Sequence, residues 1–221
     1  MTVRESAAKR RPAPDEGRRK LTRAEKSQKI KRDLLAAAAK VVGKVGYSNA
    51  QVSRITALAN VGQGTFYNHF KSRQDLFDQL LPTLGAELLD FIRARAADAP
   101  NALEREKRSF KAFFEFLKES PEFYRILYEA EVFAPKAFAA HIERIAEAYI
   151  RTLQRGAEKG GIVPMDRNAL EVLAFTFMGA RHYLCLRFAR RNGRVVDPPE
   201  WVIDTYMRLV AQGIASHDSV S

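Results

Sequence analysis

The segment from Gln51 to Phe70 constrains this chain more than any other, because it reads as a helix, a three-residue break and a second, short helix. The break is Asn60-Val61-Gly62, and the second helix carries Gln63-Gly64-Thr65-Phe66-Tyr67-Asn68-His69-Phe70. Helices joined this tightly must turn sharply, and Asn is the residue other than glycine that best tolerates the left-handed backbone such a turn uses. Phe66 and Phe70, four apart, share one face that should pack toward Ile55 and a preceding helix. Gln63 and Tyr67 then form one outward row, Gly64 and Asn68 the next, with Thr65 and His69 at the flank. A helix laid in a major groove needs such a face: amide and hydroxyl groups for base edges and phosphates, and no side chain where backbone meets DNA. The same pattern also suits a small three-helix core whose polar face is merely hydrated.

The charge distribution favours a polyanion. The net charge is +11, and residues 1–32 hold twelve Lys or Arg against four Asp or Glu, whereas residues 81–221 hold twenty against nineteen. Neutralising phosphates and releasing their counterions is the ordinary use of such a gradient; a solvated basic tail is the alternative. Residues 1–24 have two prolines, one glycine and almost no large apolar side chains, so a disordered arm is expected there. Its Arg18, Arg19 and Lys20, with Arg23, would follow the minor groove or raise local affinity.

Helical periodicity organises the rest. Ile30, Leu34, Ala38, Val41 and Val45 form a stripe that Gly43 and Gly46 loosen at its end. Ser48 and Asn49 are offered as caps for a helix over 51–59 that would bury Val52, Ile55 and Leu58. Leu76, Leu80, Leu84 and Leu88 mark a long helix from about Ser72, with Pro82 expected to kink it or displace its register. Further helices are expected at about 102–119, 121–131, 135–158, 167–191 and 199–215, separated by prolines and glycines. No strand-like alternation is present, so the expected fold is all-α, and 46% hydrophobic residues suffice for a core. The expected division is a basic arm over 1–24, a three-helix helix-turn-helix head over 25–75, a helical body over 76–216 and a tail over 217–221.

Other classes find little support. The four histidines, His69, His141, His182 and His217, are scattered, and no Cys/His cluster suggests a metal. Gly62-Gln63-Gly64 lacks both a preceding strand and the third glycine of a dinucleotide loop, so neither an enzyme nor a cofactor is expected. The single Cys185 suits a reducing, cytoplasmic setting, no secretory signal is apparent, and Leu34 to Val42 falls far short of the ~18 residues of a membrane span.

The run from Ile30 to Leu80 resembles the DNA-binding domain of the tetracycline-repressor (TetR) family. The matching residues are Gly46-Tyr47, Val52 to Thr56, Ala59 to Lys71, above all the string G-T-F-Y-N-H-F-K, and the helix opening S-R-Q-D-L-F. The resemblance implies that Gln63, Gly64, Thr65, Tyr67 and Asn68 face bases or adjoining phosphates, while His69, Lys71 and Arg73 grip the backbone. Ser53 and Arg54 on the preceding helix join that set. Asn60, Gly62, Thr56 and Ser53 depart from the family's usual residues, and Ser53 leaves Arg54 as the only cation on its helix.

The resemblance also implies an effector pocket and a homodimer. The aromatic run over 110–138 would by itself be read as core. As a family member, the chain should instead line a pocket with Phe110, Phe113, Phe114, Tyr124, Tyr128, Phe138, Phe175, Met178 and His182, for an apolar or amphipathic small molecule. Arg181, Arg187, Arg190 and Arg191 could meet an anionic head group, although at a helix end they are read as solvated or dipole-complementing. Gly179, Ala180, Tyr183, Val202, Tyr206, Leu209 and Val210 are expected at a two-fold interface that sets two recognition helices on a palindromic operator. The implied function is a sequence-specific regulator, expected to be a repressor released from double-stranded operator DNA by its effector. A nonspecific architectural DNA binder without a ligand response is the alternative.

Overall fold

The computed structural model describes residues 22–214. The arm, apart from Thr22 to Ala24, and the expected tail at 217–221 lie outside them. Helix α1, Arg23–Asn49, opens with a capping box: the Thr22 hydroxyl accepts from Glu25 N–H, and Glu25 Oε2 accepts from Thr22 N–H. The expected stripe is buried or half-buried throughout. Gly46 breaks the helix with φ 80°, ψ 166°, a conformation open essentially to glycine alone.

Helix α2, Val52–Leu58, and helix α3, Gln63–Tyr67, are joined through Asn60, which takes the left-handed conformation at φ 54°. Two local expectations fail here. The N-cap of α2 is Gln51, without a side-chain bond, because Asn49 Nδ2 turns back to close α1 on the Val45 carbonyl. Leu58 is exposed and Thr56 is buried in its place, its hydroxyl donating to the Ser53 carbonyl. Phe66, Phe70 and Ile55 are fully buried. At roughly 1.5–3 kcal/mol each, such rings and aliphatics outweigh the poor intrinsic stability of a five-residue helix.

Helix α4, Arg73–Arg95, capped by Ser72, remains one continuous helix through Pro82; Thr83 Oγ1 bonds the Gln79 carbonyl alongside it. It crosses the expected division at 75/76, so no linker separates head from body. Helices α5 (Ala102–Glu119), α6 (Phe123–Phe133) and α7 (Pro135–Glu158) follow, and α4 packs on each of them. Helix α8, Arg167–Leu184, widens into a π-helical turn over Cys185–Ala189. Strands β1 (Arg190–Arg191) and β2 (Arg194–Val195) then form a small antiparallel hairpin before α9, Glu200–Ile214. The expected helix to 191 therefore stops short. Asn192 and Gly193 both take positive φ in the turn, and an Asn-Gly pair is the strongest short hairpin signal. The fold is otherwise helical throughout the described residues, with one hydrophobic core running from α1 to α9.

Candidate functional site

On the head, α3 turns Phe66 and Phe70 inward and leaves Gln63, Gly64, Tyr67 and Asn68 exposed, with Thr65 and His69 half-buried. Ser53 and Arg54 on α2 and Lys71 and Arg73 at the start of α4 are also exposed. A side chain built on Gly62 or Gly64 would meet no atom of the folded protein, so internal packing does not require glycine at either position. The Tyr67 ring stands edge-on to Phe66 at 5.2 Å, which orients it outward. Lys71 N–H donates to Asp75 Oδ2 at 2.8 Å, and that bond chiefly lowers the Asp75 pKa. Arg73 lies over the Phe77 ring at 5.4 Å and reaches the Ser48 carbonyl, so its stem is guided while its charge stays in solvent.

The body encloses a chamber of about 500 Å³ walled by α4, α5, α6, α7 and α8. Phe113, Tyr124, Tyr128, Phe138, Phe175, Met178 and His182 line it. Phe110 and Phe114 do not. They lie on the other side of α5, where Phe110 stacks on Tyr206 of α9 at 4.2 Å and Phe114 meets Phe110 at 5.0 Å. The chamber also takes Leu88, Leu89 and Ile92 from α4 and Ile142 and Ile145 from α7, ordinary core residues in sequence.

Its polar groups are few and placed. Tyr128 Oη and His182 Nε2 are 2.7 Å apart, and burial lowers the His182 pKa, which favours the neutral ring. Burial also drives His141 down to about 4, with Arg144 adding to the effect. Both histidines line the chamber, although nothing in their spacing brings them together. Arg181, read from sequence as solvated, is instead 4% exposed, giving Nη2 to Glu106 Oε1 at 2.7 Å and Nη1 to the Ser109 carbonyl. The Tyr206 hydroxyl closes on the same Glu106 oxygen at 2.6 Å. Burial opposes the Arg181 charge, but Glu106 beside it more than compensates, so its pKa is raised. In all, five arginines (Arg93, Arg105, Arg151, Arg155 and Arg181) line the chamber against two glutamates, Glu106 and Glu131, while Arg93 and Arg151 also pair with Asp90 at 2.6 Å and Glu147 at 3.8 Å at its rim.

The expected interface residues divide. Tyr183 and Leu209 are exposed, as are Val172 and Trp201, and a side chain on Gly179 would meet nothing within the chain. Ala180 is half-buried. Val202, Tyr206 and Val210 are buried inside the protomer, because this i, i+4, i+8 stripe of α9 faces inward. They cannot offer surface to a second chain.

A short exposed helix on a three-helix head, joined without a linker to a helical body around an arginine-lined chamber, defines a helix-turn-helix transcription regulator. Residues 34–80 match the family described as bacterial regulatory proteins, tetR family. The HTH-type transcriptional regulator YhgD of Bacillus subtilis is 32% identical over 72% of this chain and 82% of its own length. The HTH-type transcriptional repressor KstR2 of Mycobacterium tuberculosis is 28% identical over 82% and 91%. This chain belongs to the tetR family and is a DNA-binding transcription regulator. Solved structures share the fold. The fatty acid degradation regulator FadR of Bacillus halodurans superposes with TM-score 0.66 at 20% identity, covering 83% of this chain and 95% of that one. AibR, in complex with isovaleryl coenzyme A and operator DNA, gives 0.60 at 20% identity over 81% and 97%. Among the described residues, no helix is long and apolar enough to cross a membrane.

Proposed function

We propose that this regulator is a repressor that binds a palindromic operator as a homodimer and releases it when an amphipathic molecule with an anionic head fills the chamber. The observation that carries this reading is the chamber itself: apolar walls, a few polar tips and an excess of arginine, beside helices that continue to the head. An apolar ligand body would replace water along α4, α6 and α7, while Arg93, Arg151 and Arg155 would meet the anion. Gln63, Tyr67 and Asn68 would read bases, and Lys71 and Arg73 would hold phosphates. The exposed apolar residues Val172, Tyr183 and Leu209, around Gly179 and Ala180, would meet their copies across a two-fold axis.

The ligand acts only through its preference for one arrangement of the protein, and a tenfold weakening of operator binding corresponds to about 1.4 kcal/mol of coupling. The names of KstR2 and FadR and the ligand bound to AibR support repression and acyl-type effectors as the first to try. The test is fluorescence anisotropy with DNA from the regulator's own promoter, titrated with saturated acyl-coenzyme A esters of increasing length. At least one chain length should weaken operator binding tenfold or more. If every ester leaves affinity unchanged, this reading of the chamber fails.

A further inference from the structure

One stretch of the chamber wall is polar, where α6 faces α8. Tyr128 Oη and His182 Nε2 are 2.7 Å apart, and both side chains line the cavity. Neither is sealed in the core: Tyr128 is 44% exposed and His182 half-buried, so a molecule in the chamber can reach them. The Tyr128 ring is held by stacking on Tyr124 at 5.7 Å and by the edge of His182 at 5.2 Å. Just beyond His182 the helix widens into the π-helical turn over Cys185–Ala189, a feature that often marks a functional site.

A neutral phenol and a neutral imidazole hold two mobile protons, and the bond between them uses one. When the phenol donates to Nε2, its oxygen keeps a lone pair for an incoming donor. When Nε2–H donates to the phenol, the hydroxyl proton is free for an incoming acceptor. The burial that lowers the His182 pKa keeps the ring neutral and both arrangements open. Two charges of opposite sign lie nearby: Glu131, three residues on along α6 and also lining the chamber, and Arg190, whose guanidinium carbon is 5.7 Å from the Tyr124 ring centroid. A charged group beside the pair gains from one of them and is repelled by the other, which favours an uncharged partner.

We propose that Tyr128 and His182 form a subsite for a hydroxyl group carried on the apolar body of the effector, away from its anionic head. The inference deepens the chamber reading above and rests on it. A hydroxyl both donates and accepts, so either state of the pair satisfies it. A plain hydrocarbon in the same place would strip water from the pair and return no hydrogen bond. Helix α7 holds head and hydroxyl apart. Phe123 of α6 meets His141 early in α7 at 6.0 Å, whereas Arg151 and Arg155 lie about 15–21 Å further along that helix. Tyr128 follows Phe123 toward the connection between α6 and α7 at Ala134, on the side away from those arginines.

Calorimetry on the full chain compares dodecanoyl-coenzyme A with its ω-hydroxy and β-hydroxy derivatives, in the wild type and in Tyr128→Phe. The wild type should bind the ω-hydroxy ester about fivefold more tightly than either of the others, and Tyr128→Phe should bind it no more tightly than the plain ester. Each ratio is taken within one protein, so a general change in stability does not alter it, and the wild-type ratio stands whether or not the variant folds. Equal binding of the ω-hydroxy and plain esters by the wild type, an equal gain from the β-hydroxyl, or a preference that survives in Tyr128→Phe would each overturn the subsite while leaving the chamber reading in place. If none of the esters binds, the reading with an anionic head fails and the subsite falls with it.

Discussion

The backbone N–H of Tyr47, where α1 ends, donates to Glu129 Oε2 on α6 at 2.8 Å, a bond across 82 positions of sequence that fastens the head to the body. Arg125 completes the latch by bonding Glu129 Oε1 and the carbonyls of Gly43 and Lys44. The buried Tyr47 ring packs edge-on to Phe77 at 4.8 Å and stacks on Phe133 at 5.9 Å. Residues of the same helix, Tyr124, Leu127 and Tyr128, line the chamber, so α6 touches the head with one face and the ligand space with another.

Glu129→Ala leaves the Tyr47 N–H unpaired in a half-buried site and should cost about 1–3 kcal/mol, measured as a lower urea midpoint with unchanged slope. Gly46→Ala should be at least as damaging. Its Cβ would need a backbone conformation closed to alanine and would come within 2.8 Å of Arg125 and Glu129. An unaltered midpoint in both variants would show that the latch is slack.

Gly85 on α4 gives way to His141 of α7: a Cβ built there falls 2.6 Å from His141 Cε1 and closer still to Nδ1. Since His141 lines the chamber, Gly85→Ala must shift either that ring or α4 itself. Overpacking of this kind costs about 1–3 kcal/mol. Operator affinity without any ligand should fall about tenfold, as though an effector were bound. Anisotropy on the ligand-free variant checks this, and wild-type affinity would refute it.

His141 also makes stability depend on pH. Its pKa falls from 6.5 to about 4 on folding, so the unfolded chain binds the proton more readily in that interval. The stability it supports is complete above pH 6.5 and is lost progressively as pH falls toward 4, where the loss amounts to about 3 kcal/mol. Urea unfolding at pH 7.5 and pH 4.5 should show the loss, and His141→Gln should reduce the difference between the two. A difference of the same size in that variant would assign it to other groups.

On the head, Gln63→Ala and Tyr67→Ala should preserve the far-ultraviolet circular dichroism and melting temperature, because both side chains are exposed. Each should weaken operator binding by about 1–3 kcal/mol. Lys71→Ala should weaken all DNA alike and reduce the slope of log K against log salt by about one. Operator occupancy unchanged in the Gln63 and Tyr67 variants would remove α3 from the interface.

Leu209 and Tyr183, exposed at 69% and 71%, give a test of the dimer face. Leu209→Asp should yield folded monomer by analytical ultracentrifugation and lose cooperative binding to a two-half-site operator. Val210→Asp should instead unfold the chain, since Val210 is buried within the protomer. A dimeric Leu209→Asp variant would place the interface elsewhere.

Features set by neighbours a few positions apart could be read from sequence. The left-handed turn at Asn60, the inward pair Phe66 and Phe70, the Ser72 cap and the helices over 102–119 and 135–158 all depend on local backbone preference and periodicity. The Asn192-Gly193 hairpin carries a local signal as well, which the helical pattern running into it from Leu170 to Leu186 masks.

Packing decided the rest. Phe110, Phe113 and Phe114 are chemically alike, and only the position of α9 determines that the first and third enter the core while the second faces the chamber. Arg181 is buried because Glu106, 75 positions away, neutralises it; an arginine near a helix end carries no local mark of such a partner. Periodicity gives the direction of a side chain relative to its own helix. The chamber is a space between five helices, and its walls are defined by distances that no single helix contains.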